Sequence, residues 1–131
     1  MPPEIIPQWA TDEAEEWQRL DDFDILVKAE EITGLSLEIK YLPLPTKTWG
    51  IHIVDRRIGR ERGRVVINSL LPDFWRRFCL FHEVYHLIYN KKGEDFWKST
   101  FFSGTANENR ADSFAWAAAW PDWEESREYG W

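Results

Sequence analysis

Most of the features that mark a special class of protein are scarce in this chain. It has a single cysteine, Cys79, which excludes an intramolecular disulfide framework and any zinc site built on several cysteines. No apolar run approaches the roughly 18 residues that a membrane span needs. The start, Met1 to Trp9, has no basic residues leading into an apolar stretch, so it does not read as a secretory signal, and a cytoplasmic location is expected. Internal repeats and low-complexity tracts are also missing. A length of 131 residues is too short for two separate cores. One domain over residues 1–131 is therefore expected, with an irregular arm at 1–8 and a tail at 122–131.

What the chain has in excess is aromatic rings. Nine Trp, eight Phe and four Tyr stand in a sequence that is otherwise ordinary at 44% hydrophobic and 30% charged. Each ring can bury roughly 150–250 Å², which suits a small domain short of core volume.

Charge is unevenly spread under a net −7. Residues 1–46 carry 3 basic and 11 acidic groups, residues 47–80 carry 8 and 3, and residues 81–131 carry 5 and 9. The acidic whole argues against a general nucleic-acid binder, so no direct nucleic acid and no membrane partner is expected. The basic island is concentrated in Arg56, Arg57, Arg60, Arg62 and Arg64, which read as a solvated hairpin tip or as a docking patch for an acidic partner face.

Periodicity divides the chain. Thr11 or Asp12 offers an N-cap ahead of Ala14, Trp17 and Leu20 at helical spacing. A second helix is expected from about Phe23 to Ile32, with Phe23, Leu26 and Val27 inward and Gly34 as its stop. The period then changes to two: Leu35, Leu37, Ile39 and Tyr41 alternate with polar residues until Pro43. Further strands are expected at Trp49–Asp55, as an edge, and at Arg64–Asn68. Pro72 and Asp73 open a long helix, apolar on most sides, to about Asn90. A loop follows, then an Ala-rich helix over Asn107–Ala119 that ends at Pro121. The order predicts an α+β fold, with a small three-stranded, mostly antiparallel sheet packed against helices.

The long helix contains His82-Glu83-Val84-Tyr85-His86. Two histidines at i and i+4 lie on one helical face one turn apart, able to ligate one zinc ion, with the adjacent glutamate in reach of water at the metal. At this chain's His and Glu content a chance match has a probability of about 0.7%. A hydrolytic zinc needs a third protein ligand and an open position. Glu108, at the start of the next helix, is the best candidate, with Glu94 and Asp95 as alternatives. Asp112, one turn beyond Glu108, is placed to accept the N–H of a ligating imidazole. An oxyanion or substrate contact is expected from Tyr85, His52 or Tyr89.

Arg77-Phe78 running into this motif, then Glu108-Asn109-Arg110-Ala111-Asp112-Ser113-Phe114-Ala115 and a closing Pro121, resemble the ImmA/IrrE family of zinc metallo-endopeptidases. Such proteins occur on mobile genetic elements and in bacterial stress regulation. Val65-Val66-Ile67-Asn68 also looks like the family's preceding strand, so the resemblance covers residues 35–121. It implies a gluzincin-like core with one zinc per chain, held by His82, His86 and Glu108, and Glu83 as catalytic base. It also implies a protein substrate, a helix-turn-helix transcriptional regulator. Tyr85 stands where the family usually has a small residue, which suggests a narrowed cleft, and Asp112 where Asn is more frequent.

Two function classes follow. The first is a zinc endopeptidase in which Glu83 activates water at the metal. The alternative is a non-catalytic zinc-containing regulator, an antirepressor or toxin–antitoxin component, in which His52 completes a closed four-ligand site. Oligomeric state is not legible. Trp116 and Trp120 read as core, and Trp123 and Trp131 as a strap packed on the domain.

Overall fold

The computed structural model describes residues 2–45, 47–55, 61–89, 96–100 and 106–128, with the side chains of 96–100, 106–108, 127 and 128 outside the description. Its elements are α1 (Gln8–Ala14), α2 (Asp22–Thr33), β1 (Ser36–Leu42), β2 (Gly50–Asp55), β3 (Arg62–Asn68), α3 (Asp73–Tyr89), β4 (Phe96–Thr100), α4 (Ala106–Ala118) and α5 (Trp120–Glu128). The fold is α+β, as expected.

The three expected strands form a mixed sheet that β4 extends, in the order β1-β3-β2-β4. β2 pairs antiparallel with β3 and with β4, whereas β1 runs parallel to β3. The expectation that Trp49–Asp55 forms an edge is therefore corrected. β2 is paired on both sides, because the segment Phe96-Trp97-Lys98-Ser99-Thr100, within the expected loop, adds a strand beside it. β3 lies inside the sheet, and Val65, Val66 and Ile67 are consecutively buried, the pattern of a strand covered on both faces. β1, at the other edge, keeps the alternation read from its sequence through Ile39, whereas Tyr41, the next position in that alternation, is exposed.

Helix ends follow local chemistry. Asp21 caps α2 by accepting a hydrogen bond from the Asp24 N–H, and Gly34 ends it at φ 73°, where its N–H reaches the Glu30 carbonyl. The inward face of α2 is set by Ile25 and Ala29, and Phe23, expected inside, is 67% exposed. α1 begins at Gln8 with Pro7 in the cap position, not at Thr11 or Asp12, and stops at Ala14, leaving Trp17 buried in the turn that follows. Pro121 does more than end α4: it sits in the first turn of α5, where its missing N–H costs no hydrogen bond.

α3 is the central element. It meets β2 and β3 on one side and α4 on the other, with α2 and α5 at its flanks. A helix enclosed in this way must be apolar nearly all round, and Phe74, Phe78, Leu80, Phe81, Val84 and Leu87 are all buried. Its start is fixed by Asn68, a buried side chain at the end of β3. The Asn68 amide donates to the Thr48 carbonyl and its Oδ1 accepts from the Leu44 and Leu70 N–H groups. Arg77 ties α3 to both ends of the chain. Its guanidinium donates to Asp122 at 2.8 Å and to the Leu20 carbonyl at 2.5 Å, and lies over the Phe81 ring. The strap reading holds for Trp123, which packs on Phe74, Trp75 and Trp116; Trp131 lies outside the described residues.

Candidate metal centre

The last two turns of α3 carry His82, Glu83 and His86. The 3.6-residue period sets both imidazoles on one face, and their Nε2 atoms lie 3.2 Å apart. Two nitrogens at the usual zinc distance in a tetrahedral site stand about 3.3 Å from each other, so the pair fits a shared zinc ion. Behind His82, Asp112 of α4 brings Oδ1 to 2.8 Å from Nδ1. A carboxylate at that distance favours the tautomer with its proton on Nδ1, which leaves the Nε2 lone pair for a metal.

Glu108 belongs to the first turn of α4, one turn before Asp112 and on the same helical face. Its side chain lies outside the described residues, as do the alternatives Glu94 and Asp95. Among the described residues no third His, Cys, Asp or Glu joins the two histidines.

Glu83 is fully buried. Its Oε2 lies 2.6 Å from Nδ1 of His52 on β2, which is itself only 2% exposed. The His52 ring also stacks on His86, with centroids 5.0 Å apart and planes 19° from parallel. Withdrawing a carboxylate from water costs several kcal/mol unless a donor meets it, and the imidazole N–H supplies one. The β2 backbone approaches closely at this level. A Cβ built on Gly50 would stand 2.8 Å from Cys79 Sγ and 3.2 Å from Glu83 Cγ. Burial and the charge of Glu83 push the Cys79 thiol well above its ordinary pKa, so it is a packing group.

Tyr85 projects away from Glu83 on α3, and its ring meets that of His86 edge-on with centroids 6.4 Å apart. Its ring is 8% exposed and meets Tyr89, Phe114 and Trp9, placing it in the layer between α3, α4 and α1. Tyr89 donates to Glu13 of α1. These contacts give both tyrosines packing and tethering duties, and burial raises the pKa of each. Of the residues read from sequence, the structure thus brings together His82, His86, Glu83, Asp112 and His52; Tyr85 borders the group through its edge contact with His86, and Tyr89 packs on Tyr85. Arg64, from the expected hairpin tip, pairs with Glu38 of β1; Arg56, Arg57 and Arg60 lie outside the described residues.

A family model, Peptidase_M78, the IrrE N-terminal-like domain, matches residues 33–122. The chain belongs to the Peptidase_M78 family. The match begins at the end of α2 and runs to the start of α5, so it takes in the whole sheet, α3 and α4, and leaves out α1 and most of α2. Membership implies a metallopeptidase, and Peptidase_M78 proteins are generally zinc-dependent. No curated protein and no solved structure matches the chain significantly. No helix among the described residues is long and apolar enough to cross a membrane.

Proposed function

We propose that this Peptidase_M78 chain is a zinc-dependent endopeptidase of gluzincin type, acting in the cytoplasm on a helix-turn-helix transcriptional regulator. The observation that carries the chemical part is the 3.2 Å approach of the His82 and His86 Nε2 atoms, with the Asp112 carboxylate against the far nitrogen of His82. The substrate class rests on the resemblance to ImmA/IrrE proteins.

In this reading His82, His86 and Glu108 hold the metal and Asp112 fixes the His82 tautomer. Zinc, when bound, supplies a Lewis acid that polarises the scissile carbonyl and acidifies water. Glu83 accepts the proton of the attacking water as the new C–O bond forms. It then passes that proton to the departing amine as the C–N bond breaks, so the carboxylate is regenerated in each cycle. Because Glu83 is screened from bulk solvent, its proton goes to the leaving group and not to the medium.

Metal analysis combined with co-incubation against helix-turn-helix regulators from the same genome tests the proposal. Wild type is expected to hold one zinc and to cleave. Glu83→Gln keeps the metal and loses at least about 100-fold in turnover, while His86→Ala loses both. Undiminished cleavage by Glu83→Gln overturns the assignment. The non-catalytic alternative, with His52 as fourth ligand, predicts that replacing His52 releases zinc. The engagement of His52 Nδ1 with Glu83 does not involve Nε2, so the zinc content of the His52 variant is what separates the two readings.

A further inference from the structure

The proposal above leaves His52 without a task. It sits on β2 at a position that alternation turns inward, between buried Gly50 and buried Val54. An apolar residue is the ordinary occupant of such a site, and a buried histidine there has to be satisfied. We infer that His52 is the positioning residue for Glu83, holding one carboxylate oxygen from the sheet side so that the carboxylate keeps a single orientation beside the two metal-facing imidazoles.

Three observations converge on this assignment, which rests on the reading of Glu83 as the base. The His52 Nδ1 to Glu83 Oε2 distance of 2.6 Å puts the imidazole in direct hydrogen-bond contact with the carboxyl group. Both side chains are enclosed, so no bulk water competes for either. The anchor point is also stiff. β2 is hydrogen-bonded to strands on both sides, with His52 in register with Val65 and Lys98, and the absence of a side chain at Gly50 lets the strand press against Cys79 and Glu83. A glutamate on a helix has three torsions to fix, and a rigid donor two elements away fixes the last of them. The parallel stacking of His52 on His86 fits the same arrangement, since it sets the imidazole plane from which Nδ1 points to Glu83.

The test needs no protein substrate. Acetohydroxamate chelates zinc in an open site and shares its acidic proton with an adjacent carboxylate, so its affinity reports where Glu83 stands. With the full-length, zinc-loaded protein, calorimetry is expected to show tight binding by wild type and weaker binding by Glu83→Gln. His52→Leu is expected to bind about 10- to 100-fold more weakly than wild type. His52→Asn, whose amide N–H occupies the place of Nδ1, is expected to restore most of the loss. In the double variant the His52→Leu penalty should vanish, because it acts through Glu83. Zinc affinity measured by chelator competition should be equal in wild type, His52→Leu and His52→Asn. Wild type and Glu83→Gln labelled with ¹⁵N-histidine provide a check independent of folding defects in the His52 variants: a downfield, slowly exchanging Nδ1 proton in the first should move upfield in the second.

The outcomes separate the two readings. Equal hydroxamate binding by wild type and Glu83→Gln removes Glu83 from the metal's side and overturns the parent proposal. A deficit in Glu83→Gln with full binding by His52→Leu overturns the positioning role alone. Loss of zinc from His52→Leu overturns it in favour of a ligand role, and failure of His52→Asn to rescue reduces His52 to a packing residue.

Discussion

Along α3, the first turns and the last turns meet very different surroundings. From Phe74 to Phe78 the helix is held by rings: Phe74, Trp75 and Phe78 contact Trp116 of α4, Phe74 and Trp75 contact Trp123 of α5, and Trp49 edges onto Trp75. From His82 to His86 the polar side chains meet an aspartate on α4 and a histidine on β2, while Tyr85 continues the ring contacts, on Phe114 of α4. The same two neighbours, α4 and the sheet side, thus supply apolar contacts at one end and hydrogen-bonding groups at the other. Dispersion and burial are non-directional and tolerate repacking, whereas a metal site needs positions set to within about half an ångström. The ring cluster therefore secures the spacing of α3 and α4, and the polar end uses that spacing.

The largest effect expected from disturbing this division is at the ring end. Phe78→Ala removes a buried ring from the cluster and should cost about 3–5 kcal/mol, read as a fall in thermal midpoint of roughly 10 °C or more. Zinc stoichiometry of the folded fraction should stay at that of wild type. A loss of metal in well-folded Phe78→Ala would mean that the two ends of α3 are not separable.

Arg77→Met cuts the tie from α3 to Asp122 and to the Leu20 carbonyl. The pair is partly buried, and a loss of about 2 kcal/mol in denaturant unfolding is expected. Asp112→Ala should do the reverse of a core mutation. Apo stability should change little, and zinc should bind about 10- to 100-fold more weakly, because no acceptor then faces His82 Nδ1. Chelator competition reads this directly, and an unchanged affinity would detach Asp112 from the metal end.

The smallest effect is at the surface. Tyr41 donates to Asp22 at 2.6 Å, and burial followed by that carboxylate raises the tyrosine pKa above its ordinary 10. A raised folded-state pKa means the contribution is present below about pH 10 and fades as the pH rises through the folded value. Tyr41→Phe should therefore lose at most about 1 kcal/mol at neutral pH. The difference between wild type and Tyr41→Phe should narrow above pH 10, as followed by urea unfolding at each pH.

Several elements were legible because their causes are local. Gly34 ends α2 through its own left-handed backbone, and the alternation of β1 survives as far as Ile39, where one of its faces meets the core. The errors have physical sources as well. Pro121 reads from sequence as a stop, but Pro followed by Asp122 is also a helix start, and α5 begins there. β4 lacks a long alternating run and becomes a strand by pairing with β2, a contact between segments more than forty residues apart. Phe23 was assigned inward by spacing, but α2 packs on Ile25 and Ala29, half a turn away.

The sequence by itself determined the pairing of His82 with His86, since a separation of four residues on any helix puts two side chains on one face. It also placed Asp112 one turn beyond Glu108 on the following helix. The tertiary structure alone decided what stands behind each of them. Asp112 meets His82 because α4 returns along α3, and His52 meets Glu83 across thirty-one residues because β2 lies inside the sheet against the same helix. Helical periodicity is a property of the backbone and can be read from spacing. The contact between a strand and a helix depends on sheet order and register, which are set by the burial of the whole chain.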